Sequence, residues 1–186
     1  MKIVVFLAPL FALSAAPAAA EVVKATPEGF EISQTVAVDA PVTRTWEALR
    51  APQKWWDKEH TYSGDSARLY LDAQATGCFC ERLDNKGSIE HARIVYIQPP
   101  KMMRLVGSLG PLQAEAVIGT LTFTLAADSA DKTKLTMTYV VGGYVRGGAD
   151  SLAPKVDEVL GIQMARLKTL AETPPAPDSA APADPK

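Results

Sequence analysis

Two cysteines and two histidines are all the thiol and imidazole chemistry in this 186-residue chain, so a metal centre would have to draw on nearly every soft ligand it owns. Basic residues do not outnumber acidic ones: 19 Lys and Arg against 21 Asp and Glu give a net charge of −2. No basic stripe is present, which argues against nucleic acid and against an anionic membrane surface as partner. Past the N-terminus no apolar run approaches the ~20 residues of a membrane span. Internal repeats, a phosphate loop, a cofactor loop and a sequence-local nucleophile motif are also missing, and no cofactor is expected.

What is there begins with MKIVVFLAPLFALSAAPAAA. Basic Lys2, an apolar stretch from Ile3 to about Leu13, and Ala18 and Ala20 where a signal peptidase reads, together predict a leader over residues 1–20 with cleavage near Ala20. The expected location is periplasmic or secreted. No cysteine stands near that point, which argues against a lipid anchor. At the other end TPPAPDSAAPADPK, residues 173–186, is too poor in apolar residues to build a core and reads as a disordered Pro- and Ala-rich tail. Residues 21–27 read as an N-terminal extension and 28–172 as one folded domain.

Within that domain GFEISQTVAV alternates Phe30, Ile32, Val36 and Val38 with polar neighbours, the period of a half-buried strand. DAPVTRTWEALRA follows as a short helix with Pro41 in its first turn and Val42, Trp46 and Leu49 on one face, and PQKWWDKEH adds a helical turn. Strands are expected around 66–72, 77–83, 88–97, 102–108 and 117–126, with KLTMTYVV as the last. In the final two, Leu121, Phe123 and Leu125, and Leu135, Met137, Tyr139 and Val141, face one way and threonines the other. SLAPKVDEVLGIQMARLKTLAE is the one long helix, with Leu152, Val156, Val159, Leu160, Leu167 and Leu170 in a stripe and Gln163 in its middle. Strand, short helices, a run of antiparallel strands and a long terminal helix describe an α+β fold.

That order, carried by APVTRTWEAL, PQKWW, IQPPKMMRL and TKLTMTYVV, resembles the START-like (SRPBCC) superfamily, and within it the branch of heat-shock-ATPase activators and polyketide-cyclase-like proteins. The resemblance covers residues 28–172. It implies a helix-grip fold, a curved antiparallel sheet wrapped around the C-terminal helix with two short helices after the first strand, enclosing an apolar cavity for lipids, hormones or polyketides. The fold hosts carriers, cyclases, hydrolases and co-chaperones and cannot choose among them. A co-chaperone needs a cytosolic partner, which an export signal argues against.

Cys78 and Cys80 stand one residue apart. In a regular strand they share a face with Cα atoms about 6.7 Å apart, whereas a disulfide wants Cβ atoms roughly 3.5–4.5 Å apart. Bridging them needs a bulge, for which Gly77 is the local excuse. The expectation is therefore two free, buried, apolar cysteines, with no metal. DNKG favours a three-residue hairpin loop, a type I turn with Gly87 as its bulge. That register sets Arg82 opposite Glu90, Glu81 opposite His91, and Cys80 opposite Ala92. It leaves open whether the face with Phe79, Glu81, Leu83, Ile89, His91 and Val95 points inward.

A Glu and a His side by side can exchange a proton or grip a polar headgroup, or be a plain ion pair. Trp55 and Trp56 are not expected to point inward together, so Trp56 is placed at a cavity mouth. Tyr139 needs a partner for its hydroxyl on the inward face, and Gln163 is the natural one, either directly or with a ligand headgroup between them. The expected ligand set is Trp56, Glu81, His91, Tyr139 and Gln163, around a small hydrophobic or amphipathic molecule carried without catalysis. Two other expectations stand beside it: a cyclase- or hydrolase-like enzyme using Glu81 and His91 as acid and base, and a periplasmic protein-interaction module with an exposed apolar patch.

Overall fold

A computed structural model describes residues 20–174. The expected leader and tail fall outside those residues, save for Ala20 at one end and Thr173 and Pro174 at the other. The chain is α+β. Eight strands, β1 (Ala20–Thr26), β2 (Gly29–Val38), β3 (Leu69–Leu71), β4 (Cys78–Arg82), β5 (Ser88–Gln98), β6 (Met102–Gly107), β7 (Ala116–Ser129) and β8 (Lys132–Tyr144), form one antiparallel sheet in the order β1-β2-β8-β7-β6-β5-β4-β3. Helix α1 (Val42–Leu49) and a 3-10 turn at Pro52–Lys54 follow β2, and α2 (Ala153–Glu172) closes the domain. This arrangement is consistent with a helix grip.

The alternation read in the sequence is what buries. Phe30, Ile32, Val36 and Val38 of β2, Leu121, Phe123 and Leu125 of β7, and Leu135, Met137 and Val141 of β8 all lie in the core. Trp46 and Leu49 of α1 join them, as do Leu160, Met164 and Leu167 of α2. The helix is also fastened by polar contacts: the buried Gln34 amide donates to the carbonyl of Asp157 at 2.9 Å and to its carboxylate at 2.7 Å. In place of the expected extension over residues 21–27, residues Ala20–Thr26 pair with β2 as an edge strand. Their alternation is broken at Val23, where the register shifts, and this hides the strand from a period-two reading.

The register of β4 on β5 also differs from the expected one. The turn between them keeps three residues but sits one position earlier than expected: the Leu83 N–H donates to the Gly87 carbonyl at 2.8 Å around Asp84–Lys86, with positive φ at Asn85 and Lys86 rather than at Gly87, so Arg82 pairs with Ser88 and Glu81 with Ile89. Between Phe79 and Cys80 the register slips by one, and His91 becomes the extra residue of a β-bulge, with Phe79 opposite Ala92. Arg82 accordingly lies over the Tyr70 ring, 4.5 Å from its centroid, and Glu90 pairs with Arg93 instead. A second slip at Val95 turns that side chain out to solvent, off the face to which the alternation had assigned it.

The cysteines are not free: Cys78 and Cys80 are joined in a disulfide. Their Cα atoms are 5.5 Å apart, well inside the ~6.7 Å of a regular strand, at the place where the pairing with β5 slips by one. The bridge lies on the sheet face opposite Glu81, beside Tyr70 and Arg82.

Candidate functional site

The face carrying Phe79, Glu81 and His91 is the inward one, and all three side chains are buried. Because Glu81 pairs with Ile89, His91 meets it diagonally along β5 rather than directly across. Nε2 of His91 lies 3.0 Å from Oε2 of Glu81. The Glu81 carboxylate also accepts from the backbone N–H groups of Tyr62, at 3.2 Å, and Ser63, at 2.5 Å. Burial pushes this carboxyl up, but the hydrogen bonds from Ser63, Tyr62 and His91 outweigh it and hold Glu81 below the ordinary carboxylate range. For His91 burial wins over the neighbouring carboxylate and holds the imidazole below its ordinary value. The pair is therefore an ionised Glu81 and a neutral His91. The ring lies between those of Phe79, 4.9 Å away, and Tyr62, 6.0 Å away.

Trp55 and Trp56 both point inward, contrary to the expectation that one must turn away. They follow a 3-10 turn instead of a regular helix or strand, and their rings pack side by side at 5.4 Å. Trp56 Nε1 donates to the carbonyl of His60 at 3.0 Å, whereas Trp55 Nε1 has no partner.

Tyr139 and Gln163 do not meet. The Tyr139 hydroxyl donates to the Gly107 carbonyl at 3.1 Å and accepts from the Leu109 N–H at 3.2 Å. Its partners are backbone groups at the end of β6, because the ring lies flat over Gly119, where a Cβ would come within 2.3 Å of it. Gln163 accepts from the N–H of Asp57 at 2.7 Å, and its amide nitrogen lies 2.9 Å from Nδ1 of His60.

These contacts border a cavity of about 420 Å³ between the 56–62 segment, the turn at Leu109–Leu112 and the first two turns of α2. Leu109, Leu112, Leu152, Val156 and Leu160 make its apolar wall, and Trp56, His60 and His91 line it as well. Between sheet and α1, by contrast, lies an apolar void of about 20 Å³. Of the expected residues, Trp56 and His91 reach the cavity, Glu81 and Gln163 stand behind the two histidines, and Tyr139 is packed away from it. The residues the sequence reading did not place here are His60 and the Leu109–Leu112 turn. Proximity of His60 to the WW pair was the only available signal. Among the described residues no group of three or more His, Cys, Asp or Glu side chains could hold a metal ion.

No protein-family model and no curated protein matches the chain. Solved structures do share its fold. A conserved protein of unknown function from Enterococcus faecalis superposes with a TM-score of 0.57 at 14% identity, over 89% of this chain and 82% of that one. CalU16 from Micromonospora echinospora gives 0.55 at 14%, over 88% and 89%. An uncharacterised protein from Rhizobium leguminosarum gives 0.55 at 19%, over 84% and 99%. At these identities the likeness is one of fold alone.

Proposed function

We propose that this is an exported START-like protein that holds one small apolar or amphipathic molecule between α2 and the loops at the end of its sheet. The observation that carries the reading is the cavity of about 420 Å³ with a mainly aliphatic wall and two histidines. It falls in the size range of small-molecule sites, which are apolar with a few placed polar groups. The Cys78–Cys80 disulfide supports export, since such bonds persist in oxidising compartments.

Binding is preferred over turnover because the hydroxyls on the cavity wall are already engaged. Thr61 donates to the Lys58 carbonyl at 2.7 Å and Tyr62 to the Gly110 carbonyl at 2.7 Å, so neither stands free beside His91 as a nucleophile. The Glu81–His91 pair suits proton transfer, which keeps a cyclase- or hydrolase-like role as the second reading.

Native mass spectrometry, followed by denaturing and organic extraction of protein expressed with its leader, tests the proposal. The expected result is a mass excess that extraction recovers as one apolar species and that Val156→Trp, which fills the cavity, removes. A bare chain in both proteins would overturn it.

A further inference from the structure

The two histidines of the chain both line the cavity, and each has one ring nitrogen tied to a buried partner. The partners differ in kind, and this difference fixes what each ring offers on its free side. Glu81 accepts from two backbone N–H groups as well as from His91. An ionised carboxylate only accepts, so the proton of His91 sits on Nε2 and Nδ1 carries the lone pair. That nitrogen has no protein partner, yet the only enclosed side-chain nitrogen or oxygen without one among the described residues is Nε1 of Trp55. Nδ1 of His91 is therefore accessible, and the space His91 borders is the cavity.

The second histidine is set the other way. The amide oxygen of Gln163 is taken by the N–H of Asp57, so its amide nitrogen faces His60 and donates to Nδ1. His60 then carries its proton on Nε2, which has no protein partner among the described residues. One wall of the cavity thus presents an acceptor and another a donor, each tautomer held by a buried side chain. The lining also holds the exposed side chains of Glu59 and Lys155, one of each sign and so without net charge, and the ionised Glu81 behind His91 disfavours an anionic group at that end.

We propose that the cavity takes an uncharged apolar molecule bearing a hydroxyl, a phenol or an alicyclic alcohol, whose O–H donates to Nδ1 of His91 while Nε2–H of His60 donates to an oxygen of the same molecule. The inference rests on the carrier reading and names the class of its ligand. It requires no new charge in the site, and both locked nitrogens find partners at once.

The test titrates the full disulfide-bonded chain with 2-naphthol and with its ether, 2-methoxynaphthalene, which keeps the apolar body and removes the donor. Wild type is expected to bind 2-naphthol about tenfold tighter or better, the worth of one made against one lost hydrogen bond. His91→Phe is expected to bring 2-naphthol down to the affinity of the ether. Equal affinities for the two probes in the wild type would overturn the inference and leave the carrier reading standing, whereas binding of neither would overturn both. Nitrogen-15 spectra of the histidine rings in the unmutated protein give a second arm that does not depend on a variant folding. Nδ1 of His91 should appear unprotonated in the free protein and move on addition of 2-naphthol but not of the ether. An Nδ1 already protonated in the free protein would overturn the inference.

Discussion

At the scale of single residues, Glu81 and His91 are costly to bury, and both titrate in a sense that penalises acid. His91 lies below its ordinary value of 6.5 in the folded chain because burial disfavours the imidazolium. A group depressed in this way contributes stability above its unfolded value, and that contribution is lost as pH falls toward the folded one. Glu81 is depressed as well, from an ordinary value of 4.5, through its bonds from Ser63, Tyr62 and His91 against the cost of burial. Its contribution is present above that value and lost below it. Unfolding by urea at a series of pH values should therefore show stability level between about pH 7 and 9 and, toward acid, declining in two stages, the first beginning near pH 6.5 and the second below about 4.5. In His91→Phe the first stage should vanish. A wild-type stability unchanged from pH 7 to 5 would mean that His91 is not held neutral.

At the scale of elements, the bulge in β5 aims His91 at the cavity, and the neighbouring strand has to make room for it. A Cβ on Gly107 would lie 2.3 Å from the His91 carbonyl oxygen and 2.5 Å from Cα of Ala92, both of them backbone atoms that cannot swing aside. Gly107→Ala should therefore cost about 1–3 kcal/mol or more, the range of overpacking that forces backbone shifts, and should disturb the Glu81–His91 contact. Gly142→Ala is the matched control, since a Cβ there meets nothing within 4 Å, and it should be close to neutral. Equal losses in chemical denaturation would remove the special role given to Gly107. The same bulge marks how far the sequence could be read. Strand and helix spans from β2 to α2 follow from period-two and period-3.6 patterns, because Val36, Leu121 or Leu167 each report on one local environment. The bulges and the facing of Glu81 depend on how two strands slip past each other, which neither strand's pattern records, and the disulfide forms where regular strand spacing argues against it. His60 was illegible for a similar reason: its role comes from Gln163, 103 residues away.

At the scale of the molecule, the interior that a helix grip could leave open is largely filled, and the space lies at one end. Tyr139 is what fills the middle while holding that end in place. Fully buried, it packs edge-on against Phe30, with ring centroids 6.3 Å apart, and its hydroxyl bridges the end of β6 to the Leu109 turn that walls the cavity. Burial pushes its phenol up to about 12 from an ordinary value of 10, and the Leu109 N–H offsets only part of that. The unfolded chain can then release this proton at a pH where the folded chain cannot. For a group raised in this way, the stabilisation is fully present below pH 10 and lost as pH climbs through the folded value. Two pH units correspond to on the order of 3 kcal/mol, so stability should fall by about that much between pH 10 and 12. Tyr139→Phe should start lower at neutral pH, having left the Gly107 carbonyl and the Leu109 N–H without their partner, yet decline less over the alkaline range. If wild type and variant decline in parallel, the phenol is not the group that limits stability there. If only the wild type steepens, the ring that fills the centre of the fold also sets its alkaline limit, and the turn beside the cavity should loosen as the phenol ionises.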